Sequence, residues 1–257
     1  MNHYLTAFQV IGMRELRRFF TQRGRFLSAL VRPLVWLLIF ATGFRAALGV
    51  SIIAPYQTYI TYETYILPGL CAMILLFNGM QSSLSLVYDR EVGPMRLLLT
   101  APLPRWWLLF SKLTASVLVG CLQVYAFLAV AVLFGVKLSL AGYVLILPAL
   151  IGVGLMLGAL GLLLSSVIRQ LENFATVMNF VIFPVFFLSS ALYPLWRMRE
   201  SSELLFYVCS WNPFTYAVEL VRFSAYATSA PVQMAIVAGS GVVFFLLANH
   251  LYDPARR

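Results

Sequence analysis

The stretch Tyr88-Asp89-Arg90-Glu91-Val92-Gly93-Pro94-Met95-Arg96-Leu97-Leu98-Leu99-Thr100-Ala101-Pro102 decides how this chain is read. It is a short charged insert between two long apolar runs, 64–88 and 106–134. A charged cluster (Asp89, Arg90, Glu91) leads into the helix-breaking pair Gly93-Pro94, an apolar turn from Met95 to Leu99, then Pro102 and Pro104. A short helix stopped by prolines at a membrane surface would make a rigid lever. A solvated loop whose arginines merely set topology is the other reading, and the residues alone leave both open.

The flanking runs reflect the whole composition. Of 257 residues, 61% are hydrophobic and 11% charged, and the mean hydropathy is +0.88. A soluble domain of that balance would expose large apolar patches, so the expectation is an integral membrane protein without a sizeable soluble domain. The net charge of +9 sits mostly at the ends of apolar runs, where it fits a topogenic role; no nucleic-acid partner is expected.

A spanning helix needs about 20 mostly apolar residues, and six segments qualify, at 27–48, 64–88, 106–134, 143–168, 174–192 and 231–252. Thirteen Arg and Lys (14, 17, 18, 23, 25, 32, 90, 96, 105, 112, 169, 256 and 257) then fall on one side and five (45, 137, 197, 199 and 222) on the other. The positive-inside rule makes both termini cytosolic. No cleavable signal peptide is evident, since five arginines precede the first apolar run. Before that run, Leu5, Phe8, Leu16 and Phe19 recur near helical spacing while Arg14, Arg17, Arg18 and Arg25 gather on another face, as in an amphipathic helix lying in the headgroup layer.

Between the last two runs, residues 193–228 are too polar for a simple span and too apolar for a solvated loop. Asn212-Pro213 interrupts helix there, and Glu203, Glu219 and Arg222 are costly against lipid. Two short helices that dip into the outer leaflet and help form an outer gate are predicted. The fold class is therefore all-α, with six transmembrane helices, an N-terminal amphipathic interfacial helix and two short re-entrant helices between spans five and six.

Several chemistries are disfavoured. No carboxylate falls in the middle of any of the six spans, which argues against a secondary carrier and against an intramembrane acid–base enzyme. His3 and His250 lie near the termini, and no metal-ligand spacing occurs. Cys71, Cys121 and Cys209 form no CxxC. Neither Lys112 nor Lys137 follows a phosphate-cradling GxxxxG run, so any ATP hydrolysis would occur on another polypeptide. Catalytic residues, metal ligands and cofactors of this chain's own are all expected to be none. Asn78, Gln81, Ser82 and Ser85 in the second run and Asn179 in the fifth are either interhelical glue or the lining of a translocation path. Gly154-x-x-x-Gly158, with Gly152 and Gly161 nearby, lets helices approach closely, within a subunit or at a dimer seam.

Three stretches carry a family resemblance. Asp89-Arg90-Glu91-Val92-Gly93, then Leu97-Leu98-Leu99-Thr100-Ala101-Pro102-Leu103-Pro104-Arg105 and Lys112, is similar to the R-E-x-G…L-L…P-L…K pattern of ABC-2 type exporter permeases. The run from Phe183 to Leu188 with Ser189-Ser190 and Pro194 resembles that family's apolar run ending in a small-residue turn and proline. Asn212-Pro213-Phe214-Thr215-Tyr216 with Arg222 is similar to its N-P…Y…R segment. Ser111 departs from the glycine often found before the lysine.

The resemblance covers nearly the whole chain and implies a single ABC-2 type transmembrane domain over 1–257. Its parts would be an interfacial helix at 1–25, a cytosolic coupling loop at 89–105 and a re-entrant segment at 193–228. It implies a homodimer in the bacterial cytoplasmic membrane, joined by two copies of a separate ATPase subunit that holds ATP and Mg. Asp89, Arg90, Glu91, Gly93, Met95, Arg96, Leu99 and Pro102 would contact that ATPase, with Arg14, Arg17 and Arg18 on the other side of the dock. Asn212, Pro213, Phe214, Tyr216, Glu219 and Arg222 would form the outer gate. The implied function is ATP-driven export of an amphipathic, lipid-linked or hydrophobic substrate. The alternative is a non-transporting membrane anchor or assembly subunit of a larger complex.

Overall fold

The computed structural model describes residues 2–21, 23–44, 55, 61–92, 104–168 and 170–252. Among these, all regular structure is helical. The helices are α1 (Asn2–Thr21), α2 (Arg23–Phe44), α3 (Tyr62–Val92), α4 (Arg105–Leu133), α5 (Leu140–Val167), α6 (Leu171–Phe187), α7 (Leu195–Ser201), α8 (Glu203–Trp211), α9 (Pro213–Ala225) and α10 (Pro231–Leu251). Prolines mark several starts. Pro104 and Pro194 precede α4 and α7, and Pro213 and Pro231 open α9 and α10, where a missing N–H costs nothing.

Among the described residues four helices, α3, α4, α5 and α10, are long and apolar enough to cross a membrane. The sequence predicts six spans; those at 27–48 and 174–192 are not among these four. The apolar run 174–192 outlasts its helix, because α6 ends at Phe187 and the chain turns through Ser189–Tyr193. In α2 only the apolar stretch Leu30–Ile39 is fully described, carrying Arg32 and Pro33, and much of the run 27–48 lies outside the described residues. The region expected to hold two short helices holds three. Ser202 adopts extended backbone between α7 and α8, and Asn212 does so between α8 and α9.

Helix α3 forms the centre and α5 packs along it, with α10 against the other side of α5. Almost every residue of α3 from Tyr62 to Met80 is buried. The α3–α5 crossing depends on glycine. A Cβ on Gly79 would lie 3.0 Å from the Gly158 backbone, and one on Gly161 would lie 2.9 Å from the Gly79 carbonyl. Gly154 faces Val117 of α4, so these small residues serve packing within the subunit. Helix α10 buries little beyond Val237 and Ala248 and presents Val242, Val243, Leu246 and Leu247 outward.

The bundle has two chemically distinct ends. One, the basic end, gathers Arg14, Arg17, Arg18, Arg90, Arg105 and Lys112; the far end holds the start of α3, α7 to α9 and the start of α10. Gly79→Val should therefore lower stability by about 1–3 kcal/mol through overpacking. Gly152→Ala, where an added Cβ meets nothing within 4 Å, should be neutral. Thermal unfolding of the purified variants in detergent separates the two outcomes.

Candidate functional site

At the basic end the organising group is Asp89, on the last turns of α3. It is only 5% exposed, as is Lys112 on α4. The Lys112 Nζ donates to Asp89 Oδ2 at 2.9 Å. From α1, Arg14 Nη2 lies 3.5 Å from the same oxygen and Arg18 Nη1 lies 3.9 Å from Oδ1. Arg18 also donates to the Ser85 hydroxyl one turn earlier on α3, at 3.1 Å. Asp89 stands in the last turn of α3, the unfavourable end for a negative charge. Its pairing with Lys112 offsets that penalty. Beside them Arg14 contacts Glu15, which is itself buried.

Aromatic contacts complete the dock of α1. The Trp107 indole N–H donates to the Tyr4 carbonyl at 3.1 Å, and its ring meets Tyr4 edge-on at 5.6 Å. Ser111, which departs from the family's usual glycine, is fully buried and its hydroxyl donates to the Trp107 carbonyl at 2.7 Å. Arg90 is half-buried with its guanidinium 4.9 Å over the Tyr252 ring, which ties the end of α10 to the same joint. Glu91 and Arg17 are exposed. Gly93, Met95, Arg96, Leu99 and Pro102 lie outside the described residues.

At the far end, the turn after α6 is buried although its backbone is irregular. Its carbonyls are satisfied by side chains from distant elements. Tyr62 donates to Leu192 O at 2.9 Å, Tyr65 to Ser190 O at 3.1 Å, and Arg222 Nη2 to Ser190 O at 3.0 Å. Asn212 caps α9 by accepting from Phe214 N, while its Nδ2 donates to Val185 O and Leu188 O. Phe214 is buried against Phe186, and Thr215 donates to the Cys209 carbonyl at 2.7 Å. Arg222 also pairs with Glu219 and lies 4.1 Å over the Tyr65 ring. Beside this cluster is a cleft of about 300 Å³ bordered by Tyr65, Trp196, Tyr216, Glu219, Arg222 and Gln233.

The polar residues read as glue or path take separate places. Asn78 is buried and donates to the carbonyl and hydroxyl of Ser116 on α4. Ser85 serves Arg18; Gln81 and Ser82 are half-buried; Asn179 is exposed on α6. Arg32, counted in the sequence only as a topogenic charge, lies 3.7 Å over the Phe77 ring beside Gln81 and Gln123. Nothing in the sequence marks these roles of Tyr62, Tyr65 and Trp107, because a tyrosine or tryptophan at the end of an apolar run reads as an interface anchor. No cluster of three or more His, Cys, Asp or Glu able to hold a metal occurs among the described residues.

An all-helical bundle with several apolar helices, a basic cluster at one end and a broken helical segment at the other defines a polytopic membrane protein. Residues 6–226 match the model of the ABC-2 type transporter family, and the chain belongs to that family. It is similar to the transport permease ycf38 of Cyanophora paradoxa, at 28% identity over 81% of this chain and 71% of that protein. The ycf38 permease of Porphyra purpurea is 29% identical over 77% of this chain and 66% of its own length. The multidrug ABC transporter permease YbhR of Escherichia coli is 28% identical over 65% of this chain and 45% of that protein. The chain thus matches about two thirds of the length of the ycf38 relatives and less than half of YbhR.

The joint at Asp89 has a testable energetic signature. Asp89→Ala removes the carboxylate that accepts from the buried Lys112 ammonium, and should cost about 3–5 kcal/mol. Asp89→Ala combined with Lys112→Met should recover much of that loss, since an apolar pair can replace a buried ion pair. Unfolding midpoints of the single and double variants measure the coupling.

Proposed function

We propose that this chain is the membrane subunit of an ATP-driven exporter that moves an amphipathic, lipid-linked or hydrophobic substrate out of the cytoplasm. One observation carries the reading. At the basic end a buried ion joint binds α1, α3 and α4 to one another, while Glu91 and Arg17 beside it are exposed. A force applied to that face is shared by three helices at once.

The chain has no phosphate-binding loop of its own, so ATP and Mg would be held by a separate ATPase subunit, two copies serving a homodimer. The exposed charges at the basic end, with residues 93–103, would form its dock. The family match and the relatives named transport permease support transport as the task. The multidrug name of YbhR supports an apolar or amphipathic cargo.

In this reading α2 to α6 and α10 are the six spans, and the basic end with both termini is cytosolic in a bacterial inner membrane. Helices α7 to α9 re-enter from outside and gate the exit, with Asn212, Pro213, Phe214, Tyr216, Glu219 and Arg222 holding the gate in shape. Gln81 and Ser82, half-buried on α3, are the part of the polar set available to a path.

Glu91→Ala should preserve folding and membrane insertion but weaken copurification with the ATPase and lower ATP-dependent export. A charged interfacial contact truncated on one side costs about 2–5 kcal/mol when desolvated and far less at a wet rim. Cysteines placed at Lys137 and Glu200 should be labelled from outside intact cells and one at Glu91 should not. Full export by Glu91→Ala together with outside labelling at position 91 would remove the dock from this face.

A further inference from the structure

We infer that the groove between α4 and α10 is a seat for one acyl chain of a phospholipid with a net negative head group, drawn from the leaflet at the basic end. That this leaflet is the cytosolic one rests on the orientation proposed above; the seat itself does not.

Helices α4 and α10 both pack on α5, and they meet each other at Phe110 and Phe245, whose ring centroids are 6.3 Å apart. Beside that meeting lies a groove of about 400 Å³ floored by Gly152, Leu155 and Met156 of α5. Gly152 keeps it open, since a Cβ there would meet nothing within 4 Å. No titratable side chain borders it. It is reached from the side, because Trp106 of α4 and Val242 and Leu246 of α10 are exposed. No cation of the described chain lies over the Trp106, Phe110 or Phe245 ring.

The dimensions select the occupant. On α10 the groove runs from Val237 to Leu246, about 14 Å at helical rise. Half of a bilayer's hydrocarbon core is about 15 Å, so the groove has the depth of one leaflet. Spread over that length, 400 Å³ leaves about 30 Å² in cross-section. A helix, about 10 Å across with its side chains, does not enter such a slot. A single extended hydrocarbon chain does. Further along α4, Leu118 and Leu122 are exposed and offer apolar surface to the rest of the chain.

The mouth selects the head group. Arg105 immediately precedes Trp106, is exposed, and makes no ion pair with the described chain. The Trp106 indole N–H has no partner there either, and it can only donate. Arg90 lies over Tyr252 just beyond α10, and His250 is exposed in that helix's last turn. Among the acids at this end, Asp89 and Glu15 are engaged by Lys112 and Arg14. Glu91 on α3 and Glu172 on α6 are exposed, and neither helix borders the groove. A phosphodiester at the mouth therefore meets donors and a cation, and charge-assisted hydrogen bonds of that kind are the strong ones.

The test uses the full chain purified in dodecyl maltoside, with lipid binding and oligomeric state both read by native mass spectrometry. Dioleoyl phosphatidylglycerol and dioleoyl phosphatidylcholine are titrated separately. Saturable binding of one lipid per chain is expected, about fivefold tighter for phosphatidylglycerol, the worth of one arginine near a head group. Arg105→Gln should abolish that preference and leave phosphatidylcholine binding unchanged. Gly152→Leu, which fills the floor, should weaken both lipids alike by about tenfold at unchanged helix content. Leu246→Trp, which fills the groove from the opposite wall, should do the same. Equal affinity for the two lipids, a preference that survives Arg105→Gln, or wild-type binding in both filled variants would overturn the inference. So would filled variants that change only the oligomeric state, since the groove would then be an interface between copies of the chain. Neither the ATPase nor transport enters the measurement, so such a failure leaves the export reading to its own test at Glu91.

Discussion

Away from water an unpaired charge or carbonyl costs several kcal/mol, and helix α3 meets that constraint at both of its ends. At the basic end its Asp89 is buried and holds Lys112, Arg14 and Arg18 around it. At the far end its first turn supplies the Tyr62 and Tyr65 hydroxyls to carbonyls of a turn that has left helical geometry. In between, Gly79 lets α5 approach to backbone contact. α1, α4, α5 and the turn after α6 are therefore positioned on α3 by a named polar bond or a glycine crossing, with apolar packing filling the space between.

How much of this was legible depends on what each residue's neighbours could reveal. Helices α3, α4, α5 and α10 are uniformly apolar over their length, and their existence followed from hydropathy. Hydropathy does not register a change of backbone direction, so the run 174–192 concealed the end of α6 at Phe187. The break at Asn212-Pro213 was readable from proline chemistry, whereas the break at Ser202 was not, because that serine makes no capping hydrogen bond and precedes an ordinary helical Glu203. The insert after Tyr88 read as a patch of like character. In the structure Asp89 is buried beside Ser85, four residues earlier on the same helical face, while Glu91 two positions on is exposed. Nothing local to the insert distinguishes them. The partners that draw Asp89 inward are 23 and 75 residues away along the chain.

The two motifs after residue 180 have a common physical origin that the sequence did not disclose. Phe183–Pro194 contains the irregular turn, and Asn212–Arg222 contains the side chains that satisfy it. Irregular backbone at membrane depth persists only when its polar groups are paired inside protein. The asparagine, the arginine and the small-residue turn are in this sense one element written in two pieces. Tyr62 and Tyr65 are a third piece, 125 or more residues upstream, and no local pattern announces them.

This arrangement bears on how force would cross the molecule. Helix α3 has 31 residues and so is about 46 Å long. A rigid tilt of about 5° around its midpoint displaces each end by about 2 Å on that length. A hydrogen bond of 3.1 Å, such as Tyr65 to Ser190 O, does not survive such a displacement unless the acceptor moves with the donor. The acceptor turn is also held by Arg222 and, through Leu188, by Asn212, both attached to α9 or its cap. Movement of α3 at the basic end must then either carry α9 and the turn as one body or open the wall between Tyr65 and Arg222. Because Tyr65 and Arg222 also border the far-end cleft, either outcome changes its surroundings. A buried ion pair at one end and an aromatic cleft at the other are thus joined through one helix anchored by polar bonds at both ends, with Pro68 removing one backbone hydrogen bond between them.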